Sequence, residues 1–247
     1  METGSPIMSG AEALEGFVRA AASAPRAAAL LCDIDGTISP IAPTPAEAHV
    51  PASFREVLEA LVWRIGLVAF VTGRALEDGR RMIPVEGAAY IGTHGLETMA
   101  ADGSVTVEPQ AERYVPAIRE ITETAARTLD CEALGVVLED KRAVFAVHYR
   151  LAEDPAATRH QILTRVVEPA RARGLTIATG HHLFEVRPPL PFTKGSAVRR
   201  LLQAGDYLAV MSCGDDLTDV TMFGAVRDWS ERDARRRSLA VAAVTDE

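Results

Sequence analysis

The segment ALLCDIDGT, residues 29–37, ends an apolar run in two aspartates that are one residue apart. Such a short run of small and branched apolar residues is typical of a strand buried on both faces. If the strand continues through this segment, its alternation places Asp33 and Asp35 on the same side, where their like charges repel each other. That arrangement is stable only with a cation beside the carboxylates. The segment therefore predicts a buried strand that ends at a cation-binding site.

Two further apolar runs end in polar residues, GLVAFVTGR (66–74) and GAAYIGTHGLE (87–97). A segment with apolar residues at helical spacing, ASFREVLEALVWRI (52–65), separates the first strand from the second. The first hundred residues therefore predict βαβ units and a parallel sheet. Ligands of such sheets bind beyond the carboxyl ends of the strands, which is where the polar residues fall.

The pattern changes at about residue 108. Residues 108–190 predict the order α, β, β, α, β, β, and the βα pattern then resumes in TKGSAVRRLLQAG, DYLAVMSCGDD and SLAVAAV. We therefore predict an α/β protein with a Rossmann-like parallel sheet as its core, formed by residues 1–107 and 191–247. Residues 108–190 are predicted to form a smaller inserted α+β domain, the cap.

Composition and charge exclude several classes of protein. The formal net charge of −8 argues against nonspecific nucleic-acid binding, which selects basic surfaces. No stretch of the sequence is apolar enough for long enough to cross a membrane. Charged residues interrupt the Ala-rich opening, which therefore lacks the continuous apolar centre of a signal peptide. Three widely spaced cysteines are typical of reduced thiols. We expect a cytoplasmic protein that binds no membrane, and nothing in the sequence implies an obligatory protein partner.

Several acids are predicted to converge at the carboxyl edge of the core sheet. Three or more carboxylates at one edge require a cation. No His or Cys cluster with metal spacing accompanies them, so oxygen ligands predict Mg²⁺ and not zinc. The predicted metal-site residues are Asp33, Asp35, Asp215, Asp216 and Asp219.

The same edge carries groups suited to phosphate chemistry. With its charge neutralised, Asp33 can attack phosphorus as a nucleophile, and Asp35 can protonate the leaving oxygen and later activate water. The hydroxyl of Thr72 and the ammonium of Lys194 can position and stabilise the transferred group. These residues predict hydrolysis of a phosphate ester.

The segments DIDGT, VTGR, TKG and GDDLTD, in that order, resemble the four motifs of the haloacid dehalogenase superfamily of aspartate-nucleophile phosphatases. The insertion between the second and third motifs resembles a cap that closes over sugar phosphates. More narrowly, THGLE, EDKRAVFAVHYR, FEVRP and GDDLTDVTMF resemble signatures of the trehalose-6-phosphate phosphatase family, over nearly all of residues 29–224. This resemblance implies a phosphorylated disaccharide as substrate, Mg²⁺ as cofactor and a role in trehalose biosynthesis.

The resemblance also implies roles for cap residues. Glu139, Lys141, Arg150 and Glu185 would hydrogen-bond sugar hydroxyls, and Arg74 would reach the sugar from the core. Paired carboxylates and cations across a closed cleft can bind many hydroxyls. The alternative is that Glu139 and Lys141 are exposed charges at strand ends.

Two positions depart from the family pattern. His181 stands in the cap where the family commonly has lysine, and Val220 follows the metal acids where an acid is common. His181 belongs to the predicted sugar site, so the sugar could instead be a sucrose phosphate, a glycosylated glycerate phosphate or a trehalose-like pseudodisaccharide phosphate. A noncatalytic sugar-phosphate sensor is a further alternative, but Asp33 and Asp35 are both present.

Overall fold

A computed structural model describes residues 10–42, 44 and 46–244. The helices are α1 (Gly10–Ser23), α2 (Ala52–Val62), α3 (Leu76–Met82), α4 (Pro109–Glu112), α5 (Val115–Thr128), α6 (Pro155–Ile162), α7 (Glu168–Ala172), α8 (Lys194–Gln203) and α9 (Asp219–Glu231). The strands are β1 (Ala28–Cys32), β2 (Leu67–Val71), β3 (Ala89–Gly92), β4 (Glu97–Met99), β5 (Val105–Val107), β6 (Val137–Asp140), β7 (Phe145–His148), β8 (Thr176–Gly180), β9 (Leu183–Arg187), β10 (Ala209–Gly214) and β11 (Arg237–Ala242).

The larger sheet has seven strands in the order β11-β10-β1-β2-β3-β4-β5. The first five strands of this order, from β11 to β3, are parallel to one another. Strands β4 and β5 add an antiparallel edge. This architecture confirms the predicted Rossmann-like core. The β4–β5 hairpin was not predicted, because strands of three residues are too short to show a period.

Strand β1 lies in the middle of this sheet and packs on both faces. Ala29 and Leu31 belong to the apolar cluster formed with α8 and α9, whereas Cys32 belongs to the cluster formed with α2 and α3. The strand ends at Cys32, before either aspartate, whereas the alternation argument assumed that it continues to Asp35. Asp33 and Asp35 therefore lie in the loop after β1, and strand alternation does not set their directions.

The smaller sheet is antiparallel, with the order β6-β7-β9-β8. Phe145 and Val147 of β7 and Phe184 of β9 pack in a cluster with side chains of α5, α6 and α7. Alternation puts His148 and Glu185 on the opposite face, which lines a cavity at the larger sheet. The order α, β, β, α, β, β predicted for residues 108–190 is present.

Prolines divide the two long helices predicted in this region. The first is split into α4 and α5, and Pro116 lies in the first turn of α5. The second contains a π turn, Leu163–Val167, shortly before Pro169, which has no N–H to continue a regular helix.

The domain boundaries themselves stay a prediction, and the predicted ends at residues 1–9 and 245–247 lie outside the described residues. Within the described ranges, no helix has the length and apolarity to cross a bilayer.

Strand β3 is fixed to the segment after α3 by a buried tyrosine. The Tyr90 hydroxyl accepts from the Val85 N–H at 2.8 Å and donates to the Ile83 carbonyl at 2.6 Å. We expect Tyr90→Phe to lower the free energy of unfolding by about 1–3 kcal/mol, because it leaves buried backbone groups without a partner. Urea unfolding measures this change. Tyr207→Phe, at a partly buried site, is the control and should stay within about 0.5 kcal/mol; equal losses would contradict this role of Tyr90.

Candidate active site

A cavity of about 590 Å³ lies between the carboxyl ends of β1, β2 and β10 and the polar face of the smaller sheet. All residues of the predicted site line it except Asp219, which lies beneath its floor. From the larger sheet these are Asp33, Asp35, Thr72, Arg74, Lys194, Asp215 and Asp216; from the smaller sheet and its loops they are Glu139, Lys141, Arg150, His181 and Glu185. The cavity size is within the range of small-molecule binding sites.

Lys194, the first residue of α8, joins two buried carboxylates. Its Nζ donates to Asp33 Oδ1 at 2.8 Å and to Asp219 Oδ1 at 2.9 Å. The helix begins here because Thr193 caps it in a capping box with Ser196. Burial alone would lower the pKa of Lys194, but the carboxylates outweigh it and raise that pKa, so the lysine stays charged.

Asp33, Asp215 and Asp219 form a carboxylate group whose ligand oxygens lie within 4.8 Å of one another. Burial raises the pKa of Asp33 to about 8, against the opposing effect of Lys194. Burial and neighbouring aspartates also raise the pKa values of Asp215 and Asp219. A raised carboxyl pKa means that ionisation is unfavourable without more positive charge. The donor set of clustered oxygens therefore fits a divalent cation such as Mg²⁺.

The other two predicted metal residues direct their side chains elsewhere. Asp216 Oδ1 accepts from the backbone N–H of Thr218 at 2.8 Å and from its hydroxyl at 2.7 Å. Asp35 is bound by Arg74, whose Nε and Nη2 donate to the two carboxylate oxygens at 2.8 and 2.7 Å. Asp219 Oδ2 accepts from the N–H groups of Asp215 and Asp216. Asp219 therefore holds both Lys194 and the loop after β10.

Close packing at this edge requires glycine after Asp35. Gly36 has a φ of +78°, and a Cβ there would lie 1.9 Å from Asp215 Oδ2. A side chain at position 36 would thus displace an acid of the carboxylate group. The glycine of DIDGT is explained by the approach of the β10 loop to the β1 loop.

The loop after β2 carries Thr72 and Arg74. Thr72 is buried, and its Oγ1 accepts from the Arg74 N–H at 3.1 Å. Burial opposes the charge on Arg74, but the hydrogen bonds and charge of Asp35 raise its pKa. In this structure Arg74 thus contacts a catalytic candidate, in addition to lining the cavity that a sugar would enter.

The cap contributes an ion-pair network to the cavity. Lys141 Nζ donates to Glu185 Oε1 at 3.0 Å and lies 3.5 Å from Glu139 Oε2. Burial would raise the pKa of Glu185, but Lys141, His94 and Arg187 hold it well below the usual range. Against burial, His148 and Lys141 lower the pKa of Glu139. Lys141 is buried and the Glu139 side chain is only 17% exposed, so the alternative interpretation of these two residues as exposed strand-end charges is wrong for this fold.

Arg150 and His181 lie at the rim of the cavity. Arg150 Nη1 donates to the Ala42 carbonyl of the larger domain at 3.1 Å. His181 is exposed in the turn between β8 and β9, with its ring centroid 4.5 Å from that of His182. Val220, the second departure from the family pattern, is exposed on α9 and does not line the cavity.

Sequence reasoning missed four charged or titratable residues of the site: His94, His148, His182 and Arg187. His148 Nε2 lies 2.9 Å from Glu139 Oε2, and both Arg187 and His94 contact Glu185. Alternation along VHYR and FEVR could have placed His148 and Arg187 on the polar face with Glu185. Another signal was available, since Lys141 and Lys194 are the two lysines of a sequence with 26 basic residues, and both are buried here.

Comparison with known proteins agrees with this geometry. Residues 31–244 match the family Trehalose-phosphatase. The trehalose-phosphate phosphatase of Mycobacterium leprae is 34% identical over 212 residues, which are 82% of this chain and 48% of that protein. An uncharacterized glycosyl hydrolase of Mycobacterium tuberculosis is 36% identical over 211 residues, again 82% of this chain but 15% of that protein. The chain thus spans less than half the length of these relatives.

Solved structures share the fold. A crystal structure of a trehalose-6-phosphate phosphatase related protein has a TM-score of 0.74 and 25% identity, covering 89% of this chain and 87% of that one. The C-terminal domain of Candida albicans trehalose-6-phosphate phosphatase has a TM-score of 0.72 and 19% identity, covering 94% and 82%, and supports the fold alone. From the family match across residues 31–244 and these relatives, the chain belongs to the trehalose-phosphatase family.

Proposed function

We propose that this chain is a Mg²⁺-dependent phosphatase that hydrolyses trehalose 6-phosphate to trehalose and inorganic phosphate through an aspartyl-phosphate intermediate. The observation that carries the proposal is the group of Asp33, Asp215, Asp219 and Lys194, buried except for the half-buried Asp215, at the end of the cavity opposite the polar face of the cap. Membership of the trehalose-phosphatase family supports the choice of substrate.

Asp33 is the proposed nucleophile. A carboxylate oxygen forms a bond to phosphorus, the bond from phosphorus to the sugar oxygen breaks, and Asp35 protonates that oxygen. Water then attacks the phosphorus of the acyl phosphate while Asp35 takes a proton from that water. The bond from phosphorus to the Asp33 oxygen breaks, which releases inorganic phosphate and restores the Asp33 carboxylate. Because Arg74 donates to both Asp35 oxygens, binding of substrate has to displace one of these hydrogen bonds before Asp35 can carry the proton.

The carboxylates of Asp33 and Asp215 and the backbone carbonyl of Asp35 would hold Mg²⁺, with Asp216 and Asp219 in outer positions. When bound, the ion supplies positive charge that keeps Asp33 ionised and stabilises charge on the phosphoryl oxygens. Lys194 is held beside Asp33 at 2.8 Å and supplies a further positive charge there. The Thr72 hydroxyl offers a hydrogen bond to the same phosphoryl group.

The cap is the proposed sugar-binding element. Its polar face carries Glu139, Lys141 and Glu185, and the cross-strand partners of Glu185 in this sheet are Ala146 and Ala178. Small side chains beside a charged network leave space for a ligand, and the paired charges can bind hydroxyls as donors and acceptors. We propose that residues 108–190 act as one lid over the core, with Arg150 and His181 at its rim.

A phosphatase for another sugar phosphate is the second candidate, and the observation that favours it is His181 at the cavity rim. Histidine is shorter than lysine, and its charge depends on pH near neutrality. Phosphate release from trehalose 6-phosphate, sucrose phosphate and glycosylated glycerate phosphate, measured side by side, separates the two. Higher kcat/KM for another ester would replace the proposed substrate, and no release from any ester would favour a noncatalytic sensor.

Replacement of the nucleophile tests the chemistry. Asp33→Asn keeps the shape of the side chain and removes the attacking carboxylate, so kcat should fall by about 10³-fold or more. Steady-state phosphate release measures kcat, and circular dichroism checks that the fold is retained. Activity near that of the wild type, with deamidation excluded by mass spectrometry, would contradict the assignment.

Metal removal tests the carboxylate group. Chelation with EDTA should abolish phosphate release and Mg²⁺ should restore it, because the carboxylates repel each other without a cation. Asp215→Asn should raise the Mg²⁺ concentration needed for half-maximal activity by about tenfold or more. Asp228→Asn, an acid on the outer part of α9, is the matched control and should leave that concentration unchanged. Full turnover in EDTA would rule out the metal.

Truncation of cap residues tests sugar recognition. Glu139→Ala and Lys141→Ala should each lower kcat/KM for trehalose 6-phosphate by about tenfold, the effect of one buried charged hydrogen bond. A small aryl phosphate, which has no sugar, should be affected far less. The measured quantity is the ratio of the two kcat/KM values. Equal losses for both esters would make these residues structural.

A further inference from the structure

The turn after β3 has an unfavourable backbone conformation. Thr93 and His94 have φ values of 50° and 54°, and Gly95 follows at 105°. Consecutive residues with a Cβ rarely adopt this left-handed region, and they persist there only when surrounding contacts hold them. The Thr93 hydroxyl donates to Glu97 Oε2 at 3.0 Å, and the Thr93 N–H donates to the Arg74 carbonyl at 2.7 Å. The turn is thus fixed to the loop that carries Thr72 and Arg74.

This conformation places the His94 ring between the core and the cap. Its backbone N–H donates to the Thr72 carbonyl at 3.2 Å. The ring packs on Gly73 so closely that a Cβ on Gly73 would lie 2.6 Å from His94 Cε1. The same edge of the ring also faces the cap, where His94 Nε2 lies 3.2 Å from Glu185 Oε2.

Two hydrogen bonds of Lys141 also connect the core to the cap at this place. Lys141 Nζ donates to the Gly73 carbonyl at 2.9 Å and to Glu185 Oε1 at 3.0 Å. Gly73 and His94 belong to the core, and Lys141 and Glu185 to the cap. Glu185 is held as a carboxylate, which only accepts hydrogen bonds, so the hydrogen of the His94 ring lies on Nε2.

We propose that His94 is a positioning residue that couples closure of the cap to the geometry of the Thr72–Arg74 loop. We call the contacts among Gly73, His94, Lys141 and Glu185 the His94 latch. The proposal rests on the proposed function, because it assumes a sugar phosphate that needs the closed cap.

The consequence for catalysis follows from the position of Gly73. It lies between Thr72, the proposed phosphate contact, and Arg74, which holds both oxygens of Asp35. When the cap closes, Lys141 fixes the Gly73 carbonyl while the His94 ring packs against the same residue. Sugar binding in the cap therefore aligns the phosphate loop, and a misplaced loop costs rate even when every catalytic group is present.

Two variants separate the hydrogen bond from the packing of the ring. His94→Phe keeps a ring against Gly73 and loses the donor to Glu185, whereas His94→Gln keeps a donor near the position of Nε2. His94→Phe should lower kcat/KM for trehalose 6-phosphate by about tenfold and leave a small aryl phosphate within about twofold, as expected for one charged hydrogen bond. His94→Gln should retain most of the activity. His160→Phe, on the exposed side of α6, is the matched control and should change neither ester.

A second measurement uses no substrate. Lys141 and Lys194 are the lysines of this sequence. Lys141 joins the cap to the core through the Gly73 carbonyl, whereas Lys194 Nζ is held within the core by Asp33 and Asp219. Acylation by a water-soluble reagent, quantified at each lysine by mass spectrometry, should be slow at Lys141 in the wild type and several-fold faster in His94→Phe. Lys194, buried in the core, is the internal reference, and its rate should not change.

The proposal requires both results. If His94→Phe lowers both esters equally, or leaves the Lys141 acylation rate unchanged, the His94 latch is overturned and His94 is only structural. A faster rate at Lys194 as well would mean general unfolding and would equally overturn it. If the wild type does not hydrolyse trehalose 6-phosphate, the proposed substrate fails, and the Lys141 acylation rate alone then decides whether the latch exists.

Discussion

Repulsion among buried carboxylates organises the centre of this structure. Asp33, Asp215 and Asp219 converge within 4.8 Å, and burial raises the pKa of all three. Such a group is unfavourable unless positive charge accompanies it, and the protein supplies part of that charge through Lys194. The strand order places β10 directly beside β1, so the acids after both strands meet at one edge. Parallel strands therefore bring the acids together, and Lys194 at the start of α8 supplies positive charge beside them.

The polar face of the cap also carries charges that are held in pairs. Its sheet is apolar on the face that packs against α5, α6 and α7 and charged on the face that lines the cavity. Each buried charge there has a partner of opposite sign, which is the condition for keeping charges out of water. Two of these partners reach the core, since Lys141 binds the Gly73 carbonyl and His94 binds Glu185. The closed arrangement thus connects sugar recognition to the loop beside the phosphate site.

Much of this was predictable from the sequence because the signals are local. An apolar run followed by acids shows both the end of a strand and its chemistry, and ALLCDIDGT and MSCGDD do so for β1 and β10. The contacts that cross long stretches of chain were not predictable. The pairing of Arg74 with Asp35 and the approach of His94 to Glu185 depend on turn geometry, and the left-handed conformation of Thr93 and His94 has no propensity signal. The π turn before Pro169 and the β4–β5 hairpin were missed because short elements carry little periodicity.

The central claim is that Asp33 carries the phosphoryl group before water receives it. The stereochemistry at phosphorus tests this claim without requiring the intermediate to accumulate. A trehalose phosphorothioate made chiral with oxygen isotopes would be hydrolysed in isotopically labelled water, and the configuration of the released thiophosphate determined. Two successive in-line displacements, first by Asp33 and then by water, predict net retention of configuration. Inversion would mean that water attacks the substrate directly, and it would contradict the account.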